Sequence, residues 1–279
     1  MQTEAALRAS SLIEQLTELP AQPTAALRVL WLLDDPDASL SDLGKLIESD
    51  PALSARVMHL ANSPFYGLAQ QVGSALRAVT VLGAVTVRAL AAASAGGLLD
   101  AGSRAVPDGF WSHAGAAAAG ASVVARRAGV PSSEAFSAGL LHDLGIALLY
   151  RHLPQQYETV LQFASLDPTA RLDFEAKVLG LHHAEAGAAV LKAWRFPESF
   201  VSAVLHHHSP IDQLESPIAR CVVAGEALAA CLDDRMMHEP VHDPEEALAV
   251  LGIRNANLTE LVRAVEAETE ALAAFLAWE

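Results

Sequence analysis

Apolar positions recur at helical spacing along the whole chain, and no stretch alternates apolar and polar residues as a β-strand does. Near the start, Leu12 and Leu16 lie about one helical turn apart, and this first segment closes at Pro20. Further along, Asp50–Pro51 marks a helix start, because aspartate caps the free backbone amides and proline fits the first helical position. The pattern therefore predicts an all-α protein.

Glycine and proline divide this pattern into segments. Gly83 splits one long apolar stretch, so two helices are predicted there, Ser74–Leu82 and Ala84–Leu99. Ala101–Asp108 combines glycine, serine and proline, a composition typical of a linker. We expect two packed helical lobes, residues 1–105 and residues 106–279, with the boundary inside this linker. The helices predicted for the second lobe are Gly109–Ala128, Ser132–Arg151, Pro154–Ser165, Pro168–Trp194, Pro197–His207, Ile218–Leu232, Pro244–Leu251 and Leu258–Trp278.

Charge and cysteine content narrow the classes of function. The chain has 33 acidic residues against 18 Lys and Arg, a net charge of -15. Nucleic acids and anionic membrane surfaces both attract basic proteins, so neither is expected as a partner. Cys221 and Cys231 lie in one predicted helix and its end, so no disulfide is expected. With no signal peptide at the start and no apolar run long enough to span a bilayer, we expect a cytoplasmic protein.

The adjacent pair His142–Asp143 follows an apolar helix that is expected to stop near Gly145. Neighbouring side chains on a helix point about 100° apart, so the pair cannot share a helix face. The two side chains can converge on a point beside the helix, where neutral imidazole and carboxylate would both suit a divalent metal. A helix end with a polar capping pair is the alternative.

Other histidines cluster near the ends of further predicted helices: His113, His182–His183 and His206–His208. Helical bundles build metal sites from side chains on facing helices, so a shared site is one interpretation. Each group also has a separate explanation. His113 could be a core or surface residue, the pair a solvated face, and the triplet a favourable partner of a helix C-terminus. Spacing alone leaves both interpretations open.

Several motifs occur together in one order. They are Asp50-Pro51-Ala52-Leu53, Ala61-Asn62-Ser63, Phe65-Tyr66-Gly67, Val81-Leu82-Gly83 and Leu140-Leu141-His142-Asp143-Leu144-Gly145. From about Leu19 to about Pro210 the sequence thus resembles the HDOD domain, the HD-related output domain of bacterial signalling proteins. HDOD is a degenerate branch of the HD superfamily of metal-dependent phosphohydrolases. The resemblance implies a second lobe that is a degenerate HD-type helical bundle.

The same resemblance implies a set of candidate metal ligands. They are His113, His142, Asp143, His183, His207, His208 and Glu226. The corresponding cofactor would be a divalent metal, Fe, Mn, Zn, Mg or Ni, although HDOD proteins do not require one.

Three departures separate this chain from active HD phosphodiesterases of the HD-GYP type. Their His-Asp-x-Gly-Lys run ends here in Ile146, and Ser209–Pro210 stands where Gly-Tyr-Pro would follow the histidine pair. Glu226 replaces the final aspartate ligand. A lysine at the position of Ile146 would bind phosphate or stabilise developing charge. No residue is therefore assigned as catalytic, and the pocket is expected to be vestigial.

The resulting expectation is a non-catalytic signalling protein that acts through contact with a protein partner. Phe65 and Tyr66 are the candidate contact residues, with anchors of a turn as the alternative explanation of their rings. Two other functions stay open. One is a metal-dependent phosphohydrolase or phosphodiesterase acting on nucleotides or cyclic dinucleotides, and the other is a module that only binds a metal or nucleotide.

Overall fold

The computed structural model describes residues 4–18, 24–98, 106–164, 170–232, 242–254 and 257–276. Within these ranges the chain is helical and contains no strand, so the predicted all-α class is confirmed. The helices are α1 Glu4–Thr17, α2 Ala25–Leu32, α3 Leu40–Glu48, α4 Pro51–Ala61, α5 Ala75–Ala95, α6 Phe110–Ala128, α7 Ser132–Leu141, α8 Leu144–His152, α9 Pro154–Ala164, α10 Arg171–Leu179, α11 His183–Ala193, α12 Glu198–His206, α13 Pro217–Ala229, α14 Pro244–Val250 and α15 Leu258–Leu276. Short 3-10 helices occur at Pro64–Tyr66 and Ile211–Gln213.

The first lobe is built around α5, which packs against α2, α3 and α4. Asp50, which the sequence predicts to cap the start of a helix, caps α4 in the structure. The Asp50 carboxylate accepts hydrogen bonds from the amides of Ala52 and Leu53 at 3.0 and 3.1 Å. From α4, Leu53, Val57 and Leu60 are fully buried in the core. Capping therefore sets where α4 begins, and burial of its apolar face holds it in place.

Helix α5 is interrupted at Gly83, whose φ of 77° and ψ of 161° are not helical. The predicted split at this residue is confirmed. Among the described residues α5 is also the one helix long and apolar enough to cross a membrane, but 56% of its 18-residue apolar stretch is buried inside the protein. Its packing against four neighbouring helices is that of a core helix.

The second lobe is built around α6, which packs against α7, α13 and α15, while α11 packs against α8 and α12. The terminal helices cross between the lobes. Helix α1 lies against α10 and α11, although residues 1–105 were expected to form the first lobe, and α15 contacts α4 as well as α6. Of the predicted linker, residues 101–105 lie outside the described residues, so the position of the boundary stays a prediction.

Two helices predicted to be continuous are broken in the structure. The predicted helix Ser132–Arg151 is divided at His142–Asp143, where Asp143 has φ −97° and ψ 15°. The helix expected to stop near Gly145 stops at Leu141, and Gly145 is the second residue of α8. The predicted helix Pro168–Trp194 is divided after α10, because Gly180 adopts a left-handed conformation with φ 92°. Apolar periodicity continues through both breaks, which is why the pattern did not reveal them.

Helices α6 and α13 approach closely through a pair of glycines. A Cβ on Gly120 would lie 2.2 Å from the carbonyl oxygen of Gly225, and a Cβ on Gly225 would lie 2.1 Å from the Ala121 amide nitrogen. Backbone contact at this distance tolerates no side chain. Because α6 carries His113 and α13 carries Glu226, this contact also fixes how far apart those two candidate ligands lie.

We predict that Gly225→Ala destabilises the protein by about 1–3 kcal/mol or more, because the new methyl group would force α6 and α13 apart. The free energy of unfolding in urea measures this loss. Gly73→Ala is the matched control, since a Cβ there meets no atom within 4 Å. Equal stability of the two variants would show that the helices can separate without cost.

Candidate metal centre

The seven candidate ligands come from several helix ends and meet in the second lobe. Their donor atoms form two groups, each with all donor atoms within 4.8 Å of one another. One group is Asp143, His183, His207 and His208, and the other is His113, His142 and Glu226. The helix breaks make this convergence feasible, because His142 ends α7, Asp143 precedes α8 and His183 begins α11.

Asp143 lies between the two groups. Its Oδ2 is 3.2 Å from Nε2 of His113 and 3.4 Å from Nε2 of His142. Its Oδ1 is 3.4 Å from Nε2 of both His183 and His207. One buried carboxylate thus presents one oxygen to each group, a position from which it could bridge two cations.

Backbone carbonyls at the helix ends orient two of the imidazole rings. Nδ1 of His142 donates to the carbonyl of Gly139 at 2.6 Å, and Nδ1 of His207 donates to that of Val204 at 2.7 Å. Both acceptors lie three residues earlier, among the carbonyls that a helix C-terminus leaves without a helical partner. With the proton fixed on Nδ1, each neutral ring turns the lone pair of Nε2 toward Asp143.

The chemistry of the donor set fits a divalent cation. His183 and His207 have Nδ1 engaged and their Nε2 atoms are 3.3 Å apart, so two lone pairs face each other beside a carboxylate. His208 Nε2 lies a further 3.0 Å from His183 Nε2. Lone pairs at this distance repel unless a proton or a cation lies between them. Imidazole nitrogen and carboxylate oxygen together suit Zn, Fe, Mn and Ni.

Buried charges alter the pKa values in the centre. Burial lowers the pKa of His142, but the carboxylates of Asp143 and Glu226 outweigh it and raise this pKa to about 9. Burial also lowers the pKa of His207, and there the nearby carboxylates do not compensate. Burial raises the pKa of Glu226, yet the three histidines His142, His207 and His113 hold it below its usual value. Without metal, Glu226 therefore stays ionised and His142 carries a positive charge.

The sequence profile of the HDOD domain matches residues 19–210, more than half of the chain. The chain belongs to the HDOD domain family. The resemblance seen in the motifs is thereby confirmed. The matched region contains every candidate ligand except Glu226. Glu226 lies on α13, beyond residue 210 where the match ends, and the fold brings it next to the other ligands.

Solved structures of other proteins have an architecture similar to that of this HDOD protein. A candidate phosphohydrolase from Shewanella amazonensis SB2B is 26% identical with a TM-score of 0.70, covering 96% of this chain and 98% of that one. A candidate signal transduction protein from Marinobacter aquaeolei VT8 is 26% identical with a TM-score of 0.76, covering 98% of this chain and 65% of that one. An HDOD domain protein of unknown function from Geobacter sulfurreducens is 25% identical with a TM-score of 0.64, covering 96% and 92%.

A sequence relative comes from Treponema pallidum (strain Nichols). This uncharacterized protein is 26% identical over 213 residues, which are 75% of the present chain but 41% of the relative. The HDOD protein described here thus spans less than half the length of that relative. The comparison assigns no activity.

Sequence reasoning missed a set of buried residues behind His183. Glu175 accepts a hydrogen bond from His183 Nδ1 at 2.7 Å, and Tyr157 and Arg171 bind the other oxygen of the same carboxylate. All three side chains are nearly or fully buried. An available signal was the i, i+4 spacing of Arg171 and Glu175 on a short helix that precedes the histidine pair.

The aromatic loop, residues 62–72, forms a separate feature in the first lobe. The Asn62 side chain closes it by accepting from the Val72 amide at 2.7 Å and donating to the Val72 carbonyl at 3.0 Å. Phe65 packs against the core residue Phe136 with ring centroids 4.9 Å apart, and burial raises the pKa of Tyr66 to about 12. Both candidate contact rings are half-buried. They anchor the loop, while part of each ring stays accessible.

A groove of about 350 Å³ lies between the aromatic loop and helices α6, α7 and α15. Phe65, Tyr66 and Phe136 form part of its lining. Arg126 of α6 pairs across it with Glu268 of α15. The loop therefore borders a concave surface to which both lobes contribute.

We predict that the metal-free protein loses stability as the pH rises from 6.5 through about 9. The folded pKa of His142 is raised, so its charged form stabilises the fold fully below the unfolded pKa of 6.5, and this contribution disappears as His142 loses its proton. Unfolding in urea with a chelator present measures the change. His142→Gln should show a smaller decrease over this range, and equal slopes for the two proteins would contradict the assignment.

Proposed function

We propose that this HDOD protein is a regulatory protein that binds a divalent metal ion in its second lobe and acts by docking a protein partner, without hydrolysis. The metal-binding part rests on the position of Asp143 among histidine nitrogens whose lone pairs repel one another unless a proton or a metal cation lies between them. A cation held by Asp143, His183 and His207 would join the start of α8, the start of α11 and the end of α12. It would stabilise this lobe because it binds only the folded chain.

The surroundings of the centre argue against turnover. Ile146, at the position of the lysine in active HD-GYP enzymes, is fully buried in the core. No cation therefore stands there to bind phosphate. His142, His183 and Asp143 are at most 1% exposed, so a substrate could not reach them directly. Glu226 and His208 are the most exposed of the candidate ligands.

A metal-dependent phosphohydrolase is the second candidate function. It is favoured by the way Asp143 presents one oxygen to each of two donor groups, because two-metal sites that hydrolyse phosphate esters hold their ions about 3.5–4 Å apart. The similar protein from Shewanella amazonensis SB2B is a candidate phosphohydrolase. Burial of the ligands and Ile146 lead us to place this function second.

Docking of a partner is supported by the loop and the groove beside it. Phe65 and Tyr66 are rigidly held by their own packing, so they would lose little conformational freedom on binding. Leu68, at the tip of the same loop, is 43% exposed. A net charge of -15 would favour a partner with a basic surface, because opposite charges raise the association rate.

We predict that protein loaded with Mn²⁺, Fe²⁺ or Zn²⁺ and then desalted retains at least one ion per chain, measured by plasma mass spectrometry. Asp143→Ala should retain none, since it removes the oxygens shared by both donor groups. His206→Ala is the matched control, because His206 neighbours the ligand His207 but is exposed. Metal that stays bound in Asp143→Ala, or metal absent from the wild type under every loading condition, contradicts the assignment.

We predict no hydrolysis of cyclic-di-GMP or nucleoside phosphates by the metal-loaded protein. Ile146→Lys should not create activity, because its ammonium group would be buried in the core, where it would lose its proton or destabilise the fold. Product formation followed by chromatography tests both proteins. Turnover that persists through purification and disappears in His142→Ala would favour the second candidate function.

We predict that Leu68→Ser and Tyr66→Ala each weaken partner capture. Leu68→Ser is the sharper variant, since an exposed substitution should change stability by no more than about 0.5 kcal/mol. Val250→Ser on α14 is its control, because Val250 is also an exposed apolar residue, at 37%. The measurement compares proteins retained from lysate by each folded variant, and unchanged capture by a Phe65→Ala/Tyr66→Ala double variant would exclude this loop.

A further inference from the structure

Behind His183 lies a closed group of three buried polar residues, Tyr157, Arg171 and Glu175. Glu175 is 0% exposed, Tyr157 is 0% exposed and Arg171 is 3% exposed. Oε1 of Glu175 accepts from the Tyr157 hydroxyl at 2.7 Å and from Arg171 Nε at 3.1 Å, and Arg171 also donates to the Tyr157 oxygen at 3.0 Å. Oε2 accepts two hydrogen bonds from His183, from its backbone amide at 2.8 Å and from Nδ1 at 2.7 Å.

Stability alone is a weak reason for such a group. Removing a carboxylate and a guanidinium from water costs as much as their attraction returns, so apolar residues of similar size would often serve equally well. Here the ion pair has an additional consequence. Arg171 Nε and the backbone amide of His183 can only donate, and they face one carboxylate oxygen each, so both oxygens of Glu175 must accept. Glu175 is therefore ionised and can only accept hydrogen bonds.

The location of His183 explains why a carboxylate is needed. His142 and His207 follow the ends of helices, and each donates from Nδ1 to a carbonyl three residues earlier. His183 is the first residue of α11 and has no preceding turn of that helix to supply a carbonyl. Glu175 of α10 takes this place and also binds the His183 amide, where a negative charge is favourable beside a helix N-terminus.

We propose that Glu175 is a positioning residue that fixes the proton of His183 on Nδ1, so that Nε2 offers its lone pair toward Asp143, His207 and His208. Arg171 occupies the far oxygen and holds the carboxylate in the plane that this requires. The consequence for metal affinity rests on the proposed metal-binding function. The tautomer of His183 does not, and it can be measured without metal.

Glu175→Gln and Tyr157→Phe separate positioning from stability. The glutamine amide has one accepting oxygen and one donating nitrogen, so it cannot satisfy His183 on one side and Arg171 and Tyr157 on the other. We expect Glu175→Gln to bind Mn²⁺ or Zn²⁺ about 10–100-fold more weakly than the wild type. Tyr157→Phe removes the bond to the far oxygen and the bond from Arg171, but it leaves both His183 bonds to Oε2 in place, so its affinity should stay within a few-fold of the wild type. Glu175→Asp keeps an acceptor-only carboxylate and should recover part of the affinity.

Long-range ¹H–¹⁵N NMR of the metal-free protein at mildly alkaline pH gives the second readout. We expect His183 to carry its proton on Nδ1 in the wild type and in Tyr157→Phe, and to populate the Nε2–H form in Glu175→Gln. An Nε2–H ring in the folded wild type overturns the proposal, even if Glu175→Gln does not fold. Metal affinity that falls in proportion to stability in both variants, with the His183 tautomer unchanged, also overturns it. If the wild type binds no metal, the metal-binding function fails, and the NMR result alone decides the positioning of His183.

Discussion

The second lobe depends on one electrostatic constraint, a buried carboxylate surrounded by imidazole nitrogens. Asp143 is 1% exposed, and its two oxygens lie 3.2–3.4 Å from four histidine Nε2 atoms. Carboxylate oxygens and lone-pair nitrogens all seek positive charge, so the fold is satisfied only by a proton or a metal cation at this point. The raised pKa of His142 shows how the chain meets the constraint with a proton, and the donor set is suited to a metal.

The helix ends of this lobe set the positions of several candidate ligands. Three carbonyl or carboxylate acceptors, from Gly139, Val204 and Glu175, set the direction of three imidazole rings. Two of them are backbone carbonyls left free at helix ends, so no further side chain is needed as an acceptor there. The third acceptor is the side chain of Glu175, which forms a buried ion pair with Arg171. A side chain is needed there because His183 lies at the start of its helix, where no preceding carbonyl is available. The arrangement of the ligands is thus a consequence of where the helices begin and end.

Much of the helical architecture could be predicted from apolar periodicity and capping residues, including the start of α4 at Pro51 and the interruption at Gly83. The break at His142–Asp143 could not be located in this way, because apolar residues continue through it at helical spacing. The candidate ligands could be named through the resemblance to the HDOD family. Glu175 could not be identified from the sequence, because its role depends on a contact between α10 and α11. That the ligands bind metal stays a prediction.

The measurement that tests this account most directly is anomalous X-ray diffraction from crystals of the metal-loaded protein, recorded at the absorption edge of the bound metal. The account predicts an anomalous peak about 2.0–2.2 Å from Asp143 Oδ1 and from Nε2 of His183 and His207. A second peak near His113 and His142 would show that both donor groups are used. Crystals that contain the metal at other positions, with only water or no density beside Asp143, would contradict the central claim.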